Sequence, residues 1–175
     1  GVIAGLRKGS LADRLTMLLS ACAQAMPPFC LAFLLIIVFS VRNQWLPASG
    51  FDTWKHYVMP VVALGLFAMP AMLRLMKSEM ETVLATDYIR TARAMGLGGS
   101  SVVLKYALRN ALRPLVPLAA AQMGTLLAGS VVIETVFALH GVGFLGWESI
   151  GKNDFPVVEA DVLVLAGIYV GLTLT

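Results

Sequence analysis

Residues 141–146, Gly-Val-Gly-Phe-Leu-Gly, have the spacing of a dinucleotide-binding turn. Residues 146–152, Gly-Trp-Glu-Ser-Ile-Gly-Lys, come close to a phosphate-binding loop. Glycines at such intervals let backbone N–H groups close around phosphates, and a lysine can neutralise them. Both patterns lack what would make them work. The first needs a βαβ unit around it, although residues 131–138 before it could pass for a strand. The second needs a hydroxyl after its lysine to hold Mg²⁺, and Asn153 stands there. Other candidates are scattered. Glu134, Glu159 and Asp161 are acids close to apolar runs, where a carboxylate is a functional suspect by default. Near an interface they can reach water, which favours solvated or gate-lining roles over a proton relay. Gln122 lies deeper, so it either lines a pathway or bonds a neighbouring helix. Of these, Gln122 and Glu134 are the pathway or gate candidates. His56 and His140 are isolated, with no sequence neighbours to complete a metal site. Cys22 and Cys30, eight apart, would sit about 12 Å from each other along a helix, beyond disulfide reach.

Any site here must be held by membrane-type helices. Hydrophobic residues make up 58% of the 175 and charged ones 13%, with mean hydropathy +0.82. A soluble domain has roughly 45–50% and about 25%. The surplus is concentrated in runs that predict spans at 16–41, 57–77, 114–137 and 156–175, since crossing a bilayer takes about 20 apolar residues. Loops at 42–56 and 138–155 would then share one side, with 78–113 on the other. Gly1 is not a start residue and Thr175 interrupts a helix, so the expectation is a fragment of a longer all-α polytopic bundle. Pro27-Pro28 is expected to break the first span, and Pro60 and Pro70 the second. Ala120, Gly124 and Ala128 form a small-residue ridge, and Gly167 with Gly171 a second; both suit close helix packing.

Basic residues orient the bundle, because cytoplasmic loops carry the Lys/Arg excess. Arg7, Lys8, Arg14, Arg74, Lys77, Arg90, Arg93, Lys105, Arg109 and Arg113 fall on one side, ten of thirteen; only Arg42, Lys55 and Lys152 fall on the other. The 78–113 loop is therefore cytoplasmic, and the phosphate-like glycine patterns face away from cytoplasmic nucleotide. Net charge +3 follows from topology and gives no case for nucleic acid.

That cytoplasmic island is patterned. Met76, Met80, Leu84, Tyr88 and Ala92 recur every four residues, with Val83 beside them, and predict one apolar stripe. Gly96 suits a helix stop with positive φ, and Ser100 or Ser101 a cap for the next helix. Leu104, Leu108 and Leu112 predict that helix's apolar stripe. Lys105, Arg109 and Arg113 predict a basic row at the lipid headgroups, worth about 1 kcal/mol per residue. A short amphipathic helix along the membrane surface suits a segment pressed by a soluble partner.

The island resembles the cytoplasmic coupling loop of bacterial ABC-transporter permeases, the inner-membrane subunits of the dipeptide, oligopeptide and nickel uptake family. The resemblance rests on Asp87-Tyr-Ile-Arg-Thr-Ala-Arg-Ala94, Gly96-Leu97, residues 107–112 (Ala-Leu-Arg-Asn-Ala-Leu) and Pro114. It extends to Trp45-Leu-Pro-Ala-Ser-Gly50, Glu134-Thr-Val-Phe137, Gly141-Val-Gly143 and Asp154-Phe-Pro-Val-Val158. Met95 stands where that family usually has lysine, His140 where proline is common, and residues 98–101 replace a more charged turn. The resemblance implies that Asp87, Tyr88, Ile89, Arg90, Thr91, Ala92, Arg93, Ala94, Met95 and Gly96 couple to a separate cytoplasmic ABC ATPase. ATP and Mg²⁺ would bind that chain, and this one would bind no cofactor and catalyse no reaction. It further implies a second homologous permease, an extracytoplasmic substrate-binding protein, and a multi-pass location in the bacterial inner membrane. The cargo would be peptides or a related small solute, nickel among them. The competing expectation is an ion-coupled secondary transporter using Glu134, Glu159 or Asp161.

Overall fold

The computed structural model describes residues 1–6 and 8–174, without the side chains of Ala128 and Leu174. The contributions expected of Arg7 to the basic side, of Ala128 to the first ridge and of Thr175 at the chain end lie outside the described residues. Every element among the described residues is helical. The chain divides into two compact units, Gly1–Ala23 with Met69–Ala119 and Gln24–Ala68 with Ala120–Thr175.

The first unit contains α1 (Val2–Leu6), most of α2 (Leu11–Ala25), the end of α4 (Lys55–Leu84) and α5 (Asp87–Ala94). It continues through α6 (Gly99–Ser101), a π-helical segment (Val102–Ala107) and α7 (Leu108–Ala111). Its core is Met76, Met80 and Val83 of α4 packed with Ile89, Ala92, Val102, Ala107 and Ala111. The expected single stripe through Tyr88 is corrected here. α4 runs past the boundary expected at residue 77, ends at Leu84, and the chain turns at Ala85–Thr86 before α5 begins. The turn resets the helical phase, so Ile89 points into the core and Tyr88 is 42% exposed.

The leucine stripe at 104, 108 and 112 is likewise corrected. The Leu108 N–H bonds the Val103 carbonyl, an i→i+5 closure that inserts one residue into the turn. The buried positions become Val102, Ala107 and Ala111, a step of five and then four. Leu104 is left 63% exposed. The serines do not cap either: the helix opens after Gly98 with no side-chain cap.

The second unit contains α3 (Pro28–Leu35) continuing as a π-helix (Ile36–Arg42), the start of α4 and most of α8 (Leu115–Phe137). It ends with α9 (Val142–Gly151) and α10 (Phe155–Leu174). Ala32, Met59, Ala63, Ile133 and Phe137 form its core. Residues 131–137, strand-like in sequence, belong to α8. The chain breaks at Pro27, whose ψ of 145° stops α2 and whose successor Pro28 opens α3, the position where proline costs no helical bond. Pro60 and Pro70, by contrast, do not break α4, which is continuous through both. Gly124 lies against the Tyr169 ring, so a side chain there would collide with it. A β-carbon on Gly167 or Gly171 would have open space around it.

Among the described residues, two helices, α4 and Phe155–Thr173 of α10, are each long and apolar enough to cross a bilayer. Leu11–Ala25 with Pro28–Arg42, and Leu115–Leu127 with Gly129–Phe137, reach that standard only if each bent pair counts as one span, giving up to four.

Candidate functional site

α5 shows how the first unit presents its polar island. Its first turn carries Asp87 and its last Arg93, both favourable for the helix dipole. Thr86 has the extended backbone of an N-cap, but its hydroxyl donates back to the Val83 carbonyl. The helix therefore starts without a side-chain cap. It ends in a Schellman arrangement: the Gly96 N–H bonds Arg93 O at 3.0 Å and the Leu97 N–H bonds Ala92 O at 3.3 Å. Gly96 takes φ of 80°, open to glycine and strained for a branched side chain.

Ile89 and Ala92 are buried in the core shared with α4 and the 102–111 helix. Burying an isoleucine contributes about 2 kcal/mol, so α5 is keyed to its scaffold by one large side chain and one small one. Asp87, Tyr88, Arg90, Thr91, Arg93, Ala94, Met95 and Gly96 are exposed. Arg90 Nη1 lies 3.5 Å from Asp87 Oδ1 in an ion pair open to solvent, which adds little stability. The Tyr88 hydroxyl accepts a hydrogen bond from Asn110 Nδ2 at 2.9 Å, tying α5 to α7. Met95 is 71% exposed beside these charges. The outcome is an exposed patch of two arginines, a carboxylate and apolar side chains on a helix whose Ile89 and Ala92 are buried. Lys105, Arg109 and Arg113 are also exposed, flanked by exposed Leu104, Tyr106 and Leu112.

A second polar group in this unit went unremarked in the sequence. Lys77 Nζ lies 2.6 Å from Asp13 Oδ1 and 3.9 Å from Glu81 Oε1, and Lys8 Nζ lies 2.7 Å from Glu81 Oε2. Asp13 is buried. Its Oδ2 accepts the Gly9 N–H at 3.0 Å, and its own N–H donates to Ser10 Oγ at 3.2 Å. The hydrogen bond and charge of Glu81 raise the Lys8 ammonium pKa above its ordinary value. Two signals could have found the group: Ser10-Leu-Ala-Asp13 ahead of an apolar run, and Lys77 four residues before Glu81.

The second unit holds the other candidates. Glu134 Oε2 accepts the Phe144 N–H at 2.9 Å and so caps the N-terminal turn of α9 from α8. Its carboxylate packs against Gly141, where a β-carbon would not fit. A cavity of about 380 Å³ adjoins it, lined by Phe51, Tyr57, Glu134, Leu139, His140 and Gly141. The His140 ring stacks edge-on between Phe51 and Phe144, both at 5.0 Å. Gln122 Nε2 donates to the Ala68 carbonyl of α4 at 3.3 Å, an interhelical bond. Glu159 is exposed; Asp161 lies against Gly146 with Oδ1 buried and lacking a hydrogen-bond partner. His56 Nδ1 lies 2.9 Å from Thr53 Oγ1. Lys152, bonded to Glu148 at 2.8 Å, lowers the Glu148 pKa. Among the described residues, no three His, Cys, Asp or Glu side chains converge on a metal position.

The family model for the binding-protein-dependent transport system inner membrane component matches residues 1–175. The glutathione transport system permease protein GsiC of Escherichia coli (strain K12) is 42% identical over 166 residues. That alignment covers 95% of this chain and 54% of GsiC. GsiC of Pectobacterium atrosepticum (strain SCRI 1043) gives 42% over the same coverage, and that of Shigella flexneri serotype 5b 41%. This chain thus spans about half the length of the curated relatives it matches. Matched over its whole length, and at that identity, the chain belongs to the family of binding-protein-dependent transport system inner membrane components.

Proposed function

We propose that this chain is part of a multi-pass permease subunit of an ATP-driven ABC importer in the bacterial inner membrane. Its cargo is a peptide or peptide-like solute; the relatives' names, with glutathione as their cargo, support that class. A separate cytoplasmic ATPase, carrying ATP and Mg²⁺, presses on residues 87–96. A second permease subunit completes the pathway, and an extracytoplasmic binding protein delivers the cargo. Lys105, Arg109 and Arg113 hold the loop to anionic headgroups.

One observation carries the reading: α5 is seated by Ile89 and Ala92 in the core that also holds the end of α4, while its other residues are exposed. A push on the exposed face is passed to α4, itself long enough to span the bilayer. Coupling then means that nucleotide binding on the partner biases two states of the bundle. Glu134, one of the acids an ion-coupled carrier would use, instead holds the Phe144 N–H.

Energising uptake in two ways tests this. In inverted-control and right-side-out vesicles carrying the whole transporter, glutathione or dipeptide uptake is expected to stop on ATP depletion and to persist with a protonophore. Uptake that survives ATP loss and collapses with the ion gradient would sink the proposal.

A further inference from the structure

The buried pair Asp13–Lys77 has no part in the exposed face of α5, yet it grips the same stretch of α4. Lys77 and Glu81 alternate along α4 with Met76, Met80 and Val83, the residues on which Ile89 and Ala92 rest. Along that stretch α1 also packs: a β-carbon on Gly5 would come within 2.6 Å of Met80 Cβ and 3.1 Å of the Lys77 carbonyl. The carboxylate of Asp13 is fixed on its own side by the Gly9 N–H, in a variant of the capping box that starts α2. It is 5% exposed and meets a Lys77 side chain that is 21% exposed. A pair so shielded is screened little by salt. Removing Lys77 leaves the buried Asp13 carboxylate without its paired charge, and removing Asp13 leaves Lys77 only the longer contact to Glu81. Lys8–Glu81 extends the grip by a second, more open contact.

We infer that Asp13 and Lys77 are positioning residues that lock the start of α2 to the end of α4 and thereby hold the seat of α5 in one orientation. The consequence for transport rests on reading α5 as the coupling helix. With the pair intact, force on α5 moves α4 and the start of α2 as one body. Without it, α5 and the last turns of α4 yield locally, and ATP is spent without uptake.

Amide hydrogen exchange on the full-length permease in its assembled complex tests the lock directly, and needs neither cargo nor ATP. Asp13→Asn and Lys77→Met are each expected to speed exchange across residues 77–94 about tenfold and leave residues 142–174 unchanged. Lys77→Arg, which keeps the charge and the donors facing Asp13, should retain most of the protection. Unchanged exchange at 77–94, or an equal rise throughout the chain, would overturn the inference. If the single variants fail to accumulate, Asp13→Glu decides: its added methylene in a buried pocket should loosen 77–94 alone, and normal protection there would count against the lock. In vesicles, glutathione taken up per ATP hydrolysed should fall about tenfold in the single variants. Loosened exchange with an unchanged ratio would refute the coupling role of α5 and leave the lock standing.

Discussion

Ile89 and Gly96 set the behaviour of α5 for opposite reasons, packing in one case and backbone in the other. Ile89 is fully buried, and truncation to alanine should cost about 2–4 kcal/mol. Tyr88→Phe removes one hydrogen bond at an exposed position and should cost below about 1 kcal/mol. Thermal unfolding of the purified subunit should rank the two in that order, and equal losses would mean that α5 is not seated through Ile89. Gly96 has φ of 80° with no atom within 4 Å of where a β-carbon would lie. The obstacle to substitution is therefore strain, not collision, on the order of 1 kcal/mol. Gly96→Asn, which tolerates that conformation, should retain uptake, whereas Gly96→Val should lower uptake per ATP with the subunit still inserted. Unchanged transport in the valine variant would contradict the role given to this loop.

The 102–111 helix and α9 make the argument at the level of elements. Because the π-turn shifts the register, cysteines at positions 107 and 111 should resist a membrane-permeant maleimide, and cysteines at 104 and 112 should react readily. The reverse pattern would restore a regular α-helix with a leucine stripe. α9 depends on a carboxylate outside itself: Glu134→Leu frees the Phe144 N–H and should speed its hydrogen exchange, while Glu134→Gln, which still accepts, should slow that loss. These elements also mark what was legible in the sequence. Composition and the spacing of apolar runs gave the helical membrane class, and the island's motifs gave the family. The phase of each stripe was not legible. A two-residue turn at Ala85–Thr86 and the π-helical segment at Val102–Ala107 each rotate the buried face, and neither leaves a compositional trace. The Glu134–Phe144 bond was hidden because its partners are ten residues apart across a turn. Asp13–Lys77 joins distant segments, although each half had a local signature.

For the whole molecule, the apolar faces of α10 require company: Leu163 is 72% exposed, with Val162, Val164, Ile168 and Val170 also open. Lipid would cover such a surface, in keeping with a membrane family. The central claim, that residues 87–96 form the contact with a separate ATPase, is best tested by a photoreactive residue at Met95, an exposed apolar side chain of the patch for which contact is claimed. Cross-linking in intact cells, followed by mass spectrometry, should capture a P-loop ATPase at Met95 and none from the same probe at Ile150 in α9. Capture of the ATPase from Ile150, or no ATPase adduct at Met95 while the transporter is active, would contradict the account.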